Sequence, residues 1–306
     1  MTLAIKAAAG GDAEAFFILA TWRLIGEPIP RDLAEGRRLL ARAVELGEEN
    51  AALMDIALTA NGSGRPADWT AAINALRRMG QTGSAEALKH LALLDNMKLD
   101  PRGNPATPPS GKRLSEDGRI VFFPALLTAS ECVHVAGIAS SRLQPALVID
   151  PHTGRQIAHP TRKCDVALIG PMQEDLVVRS INRRVAVASS TSVDQGEALT
   201  VLRYVPGQQF KLHRDAIGRT RNERIATMLL YLNDAFVGGE TRFPHYGLSI
   251  RAKQGDALLF FNTLANSSPD PAMRHAGDPV RTGVKWLATR WIRARPFSQW
   301  DGPESV

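Results

Sequence analysis

The stretch that decides the fold of this chain is ALTVLRYVPGQQFKLHRD, residues 198–215. It opens with an apolar, β-branched run at 198–205, which is typical of a buried strand. It ends in His-x-Asp, and on a strand His213 and Asp215 would project from the same face. Two such side chains can close on one metal ion. In isolation, however, His-x-Asp is more often a surface histidine beside a solvated aspartate.

A third ligand from a later strand would turn this pair into a metal site. His275, in MRHAGDPV, lies downstream of the pair and shortly before the last long apolar run. Two histidines and one carboxylate leave three metal positions open, which is the arrangement of non-haem Fe(II) oxygenases. The sequence therefore predicts a metal held by His213, Asp215 and His275. Three other histidines lack a carboxylate at ligand spacing on a strand, and their roles stay open: His152, His159 and His245.

The run VKWLATRWI, residues 284–292, adds a cation to this site. Alternation along a strand places Lys285 and Trp291 on one face. A lysine buried among apolar neighbours requires an anion, and a dicarboxylate that chelates the metal at its other end would supply one. The alternative is that Lys285 faces solvent and Trp286 faces the core.

Short β-branched and aromatic runs dominate the chain beyond residue 112. They recur at 120–126, 198–205, 225–232, 248–253, 256–262 and 284–292. Two helices interrupt them, one opening at Thr128 with Glu131 behind it and one near 174–188. Gly238-Gly239 and Gly255-Asp256 indicate turns between strands. Many short strands with few helices predict an antiparallel barrel or sandwich of jelly-roll type.

The chain before this region has a different pattern. Residues 1–100 are rich in Ala and Leu with helical spacing, and segments at 7–20, 43–58 and 75–94 resemble one another at offsets of roughly 35 residues. We predict a tetratricopeptide-like helical repeat domain there, serving either as a partner platform or as a stabilising cap. A Pro/Gly-rich linker follows at 101–112, then a β domain at 113–297 and a tail at 298–306.

Composition excludes several classes of protein. The chain of 306 residues has no apolar run near the roughly 20 residues of a membrane span, and its N-terminus lacks the features of a secretory signal. Its net charge of +6 arises beyond residue 100, but the arginines are scattered rather than clustered with aromatics, which disfavours nucleic-acid binding. Cys132 and Cys164 have no metal-ligand spacing. A cytoplasmic protein is expected.

Four segments together resemble the catalytic domain of the prolyl 4-hydroxylase alpha-subunit family. They are ALTVLRYVPGQQFKLHRD, RIATMLLYLNDAFVGGETRFP, KQGDALLFFN and HAGDPVRTGVKWLATRWIR, which occur in the family's order and spacing within 198–296. The resemblance implies an α+β protein, in which a double-stranded β-helix (jelly-roll) catalytic domain follows the helical repeats. Phe210, where the family often has Tyr, and Arg162-Lys163-Cys164, in place of Arg-x-Ser, depart from the family pattern.

The resemblance also implies roles for individual residues. His213, Asp215 and His275 would be the iron ligands. Lys285 would pair with a carboxylate of 2-oxoglutarate, with Tyr204 donating a phenolic hydrogen bond and Thr241 beside it. Three further positions match the family's substrate channel: Glu197, Arg224 and Trp291.

The function that the resemblance implies is an Fe(II)- and 2-oxoglutarate-dependent dioxygenase. It would use O2, and ascorbate as a further cofactor, to hydroxylate a C–H bond of a prolyl residue in a protein or peptide, which the helical repeats could present. Three alternatives remain. They are a hydroxylase of a free amino acid or other small molecule, a non-enzymatic repeat adaptor, and a metal-binding cupin of another activity.

Overall fold

The structure, a computed structural model, describes residues 7–8, 10–149, 156–158 and 161–306. His152 and His159 therefore lie outside the described residues. The chain forms two compact units, Met1–Ala106 with Pro171–Ser180 and Thr107–Gly170 with Ile181–Val306. Within the described ranges, the structure contains no helix with the length and apolarity needed to cross a bilayer.

Helices build the first unit, and each packs against the next along the chain. They are α1 (Ala13–Ile25), α2 (Leu33–Glu45), α3 (Glu49–Asn61), α4 (Trp69–Gln81) and α5 (Ala85–Asn96). Each begins after a side chain that accepts a hydrogen bond from a first-turn N–H: Asp12, Asp32, Glu48, Asp68 and Ser84. Helices α1, α3 and α5 begin at equal intervals in the sequence, which is the regularity that a helix-turn-helix repeat requires.

Strands build the second unit. They are β1 (Lys112–Arg113), β2 (Ile120–Phe123), β3 (Gln144–Pro145), β4 (Leu147–Ile149), β5 (Gln156–Ala158), β6 (Arg162–Lys163), β7 (Asp165–Ile169), β8 (Leu199–Tyr204), β9 (Gln209–His213), β10 (Arg224–Tyr231), β11 (Phe236–Gly238), β12 (Thr241–Phe243), β13 (Leu248–Ile250), β14 (Ala257–Phe261), β15 (His275–Gly277), β16 (Val280–Gly283) and β17 (Lys285–Arg293). Two helices lie between them in sequence: α6 (Ala129–Ser140) and α7 (Leu176–Ser189).

The strands form two main antiparallel sheets. The larger has the order β1-β2-β14-β10-β17-β8-β7-β3, and the smaller has the order β13-β12-β15-β9-β6. Aromatic side chains from both sheets pack in one core, including Tyr231 and Phe260 of the larger sheet and Phe243 of the smaller. This is a double-stranded β-helix, and the predicted α+β class is confirmed.

Several local predictions agree with the structure. Thr128 and Glu131 form a capping box at the start of α6. Gly238, Gly239 and Gly255 all have positive φ, as turns at those positions require. Other elements differ from expectation, because β1 begins at the last residue of the predicted linker and several short strands were not predicted from the sequence.

Candidate active site

The three predicted metal ligands meet where β9 and β15 pair. His213 ends β9, His275 begins β15, and the antiparallel register places these two residues opposite each other. Their imidazole rings are 4.2 Å apart between centroids. Asp215 Oδ1 lies 3.5 Å from His213 Nε2, and Asp215 Oδ2 lies 3.7 Å from His275 Nε2. Because the three candidate ligand atoms all lie within 4.8 Å of one another, one ion could contact all three.

Backbone carbonyls orient both imidazoles for this role. His213 Nδ1 lies 2.8 Å from the oxygen of Lys211, and His275 Nδ1 lies 3.0 Å from the oxygen of Met273. A carbonyl oxygen only accepts, so each Nδ1 carries the proton and each Nε2 keeps its lone pair. His213 Nε2 is buried without a hydrogen-bond partner among the described residues. Such an orphaned lone pair fits a metal ion, and Phe210 holds the ring by stacking on it with 8° between the planes.

Electrostatics at the site favour the metal-binding protonation states. Burial lowers the pKa of His275 to about 4, which leaves it neutral near pH 7. Burial by itself raises the pKa of Asp215, but His275, His213 and the Thr227 hydroxyl outweigh it, so this pKa lies below its usual range. A charged Asp215 carboxylate beside the neutral imidazole of His275 suits a divalent metal such as Fe(II).

Lys285 is buried at the start of β17, with 3% of its surface exposed. Its Nζ donates to the carbonyl oxygen of Gly239 at 2.7 Å. Nζ also lies 5.5–6.0 Å from the ring centroids of Tyr204, Tyr231 and Phe236, where the π faces attract a cation. The prediction that Lys285 is buried is confirmed, and the alternative that it faces solvent is wrong.

Burial destabilises the charged form of Lys285. Burial lowers its pKa to about 8, although the carboxylates of Glu240 and Asp278 offset part of that effect. One carbonyl and three ring faces solvate an ammonium less well than water does. An anion beside Nζ would complete its environment.

An inner cavity is lined both by Lys285 and by the metal ligands. Tyr204 and Thr241 line it, as do Lys285, the three metal ligands and Trp291. Tyr204 lies directly across from Lys285 in the β8–β17 pairing, and burial raises the pKa of its phenol well above the ordinary value. The phenol therefore stays protonated and can donate. The Thr241 hydroxyl pairs with the hydroxyl of Tyr231 at 2.7 Å.

An outer cavity is lined by His213 and Asp215 but not by His275 or Lys285. Arg224 and Trp291 line it, and the Arg224 guanidinium lies 4.0 Å from the centroid of the Trp291 ring. Glu197 lines neither of these two cavities. Instead, its carboxylate accepts two hydrogen bonds from Arg224, at 2.6 and 2.8 Å, and one from Arg293. Glu197 therefore holds the Arg224 guanidinium in place.

Further residues of the site were not predicted from the sequence. Thr227 donates to Asp215 Oδ2 at 2.7 Å, and Asn262 donates to the Thr227 oxygen at 2.9 Å. Thr289 lines the inner cavity, with its buried hydroxyl unpaired among the described residues. The only signal in the sequence is a polar residue within or at the end of an apolar strand. His245 lies in a 3-10 turn beside Tyr246 and lines neither cavity.

Comparisons with known proteins agree with this architecture. Residues 199–293 match the 2OG-Fe(II) oxygenase superfamily. The chain is 34% identical over 199 residues to prolyl 4-hydroxylase 1 of Arabidopsis thaliana, covering 59% of this chain and 70% of the relative. It is 32% identical over 218 residues to prolyl 4-hydroxylase 2 of the same plant, covering 63% and 73%.

A solved structure is similar as well. It is the viral collagen prolyl hydroxylase vCPH from Paramecium Bursaria Chlorella virus-1 in a 2OG complex. The match has 24% identity and a TM-score of 0.49, and it covers 60% of this chain and 99% of that one.

The sequence relationship defines the class of this chain: it belongs to the prolyl 4-hydroxylase family within the 2OG-Fe(II) oxygenase superfamily. Enzymes of this class use Fe(II), 2-oxoglutarate and O2.

Proposed function

We propose that this chain hydroxylates prolyl residues in a protein or peptide, with His213, Asp215 and His275 holding Fe(II). The observation that carries the proposal is the inner cavity, which is lined both by these ligands and by the buried cation of Lys285. A dicarboxylate with a 2-oxo group can chelate the metal and reach Lys285. When bound, Fe(II) and 2-oxoglutarate supply the oxidising power that turns O2 into a hydroxylating agent.

The side chains of the inner cavity then bind and orient. Lys285 pairs with the distal carboxylate of 2-oxoglutarate, and the neutral phenol of Tyr204 donates to the same carboxylate. Thr241, already hydrogen-bonded to Tyr231, completes that end of the cavity. Leu202, Leu229 and Leu287 also line the cavity, and their apolar surface keeps water away from the reacting centre.

The outer cavity is the proposed site of the prolyl residue. Phe210 and Trp291 line it, and the apolar pyrrolidine ring packs well on aromatic faces, as in other proline-binding grooves. Arg224, clamped by Glu197, presents N–H groups that can reach the peptide carbonyls on either side of the target. The names of the relatives in Arabidopsis thaliana support the same substrate class.

A test of this function measures turnover of 2-oxoglutarate to succinate with Fe(II) and a panel of proline-containing peptides. Mass spectrometry of each peptide should show one added oxygen on proline. His213→Ala should abolish both products. Succinate that forms without any hydroxylated peptide would contradict the prolyl substrate but leave the enzyme class in place.

A second candidate substrate is a free amino acid or another small carboxylate. Arg162 and Arg214 also line the outer cavity, and Asp215 is the one acidic residue among the described residues that line it, so an anionic substrate would be attracted. End-blocked peptides and free proline distinguish the two. If free proline is hydroxylated and blocked peptides are not, the second candidate is correct.

The proposal extends to the helical unit, the reductant and the location of the protein. Helices α1 to α5 would present the substrate polypeptide, ascorbate would sustain turnover, and the protein would act in the cytoplasm. Hydrogen exchange with and without peptide tests the first point, since binding should slow exchange in residues 13–96. Omitting ascorbate from the assay tests its role as reductant, and cell fractionation tests the location.

A further inference from the structure

A chain of buried hydrogen bonds runs into the metal site from the larger sheet. Asn262 Nδ2 lies 2.9 Å from Thr227 Oγ1, which lies 2.7 Å from Asp215 Oδ2. All three residues are buried, with 2%, 0% and 7% of their surfaces exposed. We propose that Thr227 and Asn262 are positioning residues that keep Asp215 a one-oxygen metal ligand. This inference rests on the proposed metal site.

The direction of each hydrogen bond follows from the groups involved. A carboxylate only accepts, so the Thr227 hydroxyl must direct its proton to Asp215 Oδ2. The Thr227 oxygen can then only accept, so Asn262 must offer its NH2 group to it. Each group thus fixes the next, and the charge-assisted bond to the carboxylate is the strongest of the set.

The consequence for the metal lies in the second carboxylate oxygen. Oδ2 accepts the hydrogen bond of Thr227 and also lies 3.7 Å from His275 Nε2, whereas Oδ1 lies 3.5 Å from His213 Nε2 and has no bond to Thr227. A carboxylate that binds through one oxygen leaves three of six positions open beside two histidines. A carboxylate that binds through both oxygens leaves two, and chelating 2-oxoglutarate would fill them. The Thr227 hydrogen bond draws electron density from Oδ2 and makes Oδ1 the stronger donor. Binding through Oδ1 alone would leave the third position open.

Asn262 also connects the two parts of the chain that carry ligands. Its side chain reaches Asp215 through Thr227. Its backbone oxygen accepts from the N–H of Asp270, and Asp270 caps the turn Pro271–Met273 immediately before His275. The oxygen of Met273 in turn accepts from His275 Nδ1. One buried asparagine thus supports both the aspartate and the second histidine.

Strands on both sides of Thr227 hold it in place. Thr227 lies in β10, where it pairs with Phe260 of β14 on one side and Trp291 of β17 on the other. A hydroxyl at the centre of an apolar sheet is unfavourable unless it is hydrogen-bonded. Its two side-chain partners satisfy it, and valine would fit the same space without them.

The experiment compares Thr227→Val, Thr227→Ser and Asn262→Leu by anaerobic titration with Mn(II), followed by calorimetry. Loss of such an outer partner typically lowers metal affinity by about 10–100-fold, and we expect this for Thr227→Val. Thr227→Ser keeps the hydroxyl and should retain most of the affinity. Asn262→Leu should weaken binding less than Thr227→Val, because the hydroxyl remains but can rotate.

A second readout separates positioning from general destabilisation. With Co(II) in place of iron, visible absorption reports coordination number, and the Thr227→Val spectrum should differ from that of wild type. Ser189→Ala removes a buried hydroxyl from α7 and should change neither readout. If folded Thr227→Val binds Mn(II) as tightly as wild type with an unchanged Co(II) spectrum, the positioning role is wrong. If wild type itself binds no Mn(II), the metal site is wrong instead.

Discussion

The Lys285 ammonium has one hydrogen-bond acceptor, the Gly239 oxygen, among the described residues. Replacing it by methionine keeps the volume and removes the buried charge. We expect Lys285→Met to weaken 2-oxoglutarate binding by about 2–5 kcal/mol, because the carboxylate loses its partner. The unfolding free energy should stay equal or rise. Calorimetric titration of 2-oxoglutarate into Mn(II)-loaded protein, with urea unfolding alongside, checks both signs.

The exposed Lys253 provides the matched control for that variant. Lys253→Met removes the same charge from the surface and should leave 2-oxoglutarate affinity unchanged. Equal affinities for wild type and Lys285→Met would show that Lys285 does not anchor the co-substrate.

Burial of Lys285 also predicts a pH dependence. Its pKa is lowered from 10.5 to about 8, so the cation that binds 2-oxoglutarate is lost as the pH rises through that value. The Kd of 2-oxoglutarate should be flat below about pH 8 and then rise by about tenfold per pH unit. Lys285→Arg stays charged, and its Kd should be flat over the same range. A parallel rise in both proteins would assign the effect to another group.

The lowered pKa of Lys285 also predicts how the unfolding free energy changes with pH. Between about pH 8 and the ordinary lysine value, the unfolded chain binds the proton that the folded chain has released, so the contribution of Lys285 to stability rises with pH. Urea unfolding of wild type minus Lys285→Met across this window should show the rise. Burial raises the pKa of the phenols of Tyr204 and Tyr231, so near pH 10 they lower stability with rising pH. Both proteins contain these phenols, so their contribution cancels in the difference between wild type and Lys285→Met.

At the scale of elements, the turn between β13 and β14 depends on one glycine. Gly255 has φ +87°, and an added Cβ would lie 2.2 Å from the oxygen of Leu127. Gly207 has φ +84° with open space around it, so it isolates the backbone effect. Gly207→Ala should lower the unfolding free energy by about 1 kcal/mol, and Gly255→Ala by clearly more. Thermal unfolding of the two variants measures both losses of unfolding free energy. Equal losses would show that the contact with the Leu127 oxygen adds no steric cost.

Sequence patterns predicted the elements whose signal is local. The apolar runs of β8, β10, β14 and β17 and the capping box of Thr128 are each readable within a few residues. Strands β11, β12, β15 and β16 have three or four residues, too few to show alternation. Their strand character comes from partners distant in the chain, such as Thr241 opposite Gly277. Such strands exist only once the rest of the sheet is in place.

In the whole molecule, the residues of the site likewise divide into those with a local sequence signal and those that depend on distant partners. His213, Asp215 and Lys285 could be predicted because His-x-Asp and an inward lysine have chemical meaning. The predicted strand was too long, however: β9 ends at His213, and Asp215 lies two residues beyond it. Thr227 and Asn262 could not be predicted, since their bonds depend on how β10 and β14 lie against the segment that carries Asp215. Glu197 stays a prediction for the substrate channel; in the structure it lines neither cavity, and its carboxylate binds Arg224. That arrangement depends on a second arginine, Arg293, on a distant strand.

Metal binding should stabilise only the unit that contains the ligands. His213, Asp215 and His275 all belong to Thr107–Gly170 with Ile181–Val306, so the free energy of Mn(II) binding adds to that unit. At a concentration of about 100 times Kd, the gain is about 2.7 kcal/mol, which raises the melting temperature of a unit of this size by about 5–11 °C. Calorimetric scans with Mn(II) and with a chelator measure the shift.

Hydrogen exchange under the same conditions locates the gain within the chain. Exchange should slow in β9, β10, β15 and β17, whose unfolding must release the metal, because the ion binds the folded state alone. Helices α1 to α5 supply no ligand and should exchange at the same rate with and without metal. His275→Ala should abolish both the melting shift and the protection. Protection that appeared in α1 to α5 but not in these strands would contradict a metal site at His213, Asp215 and His275.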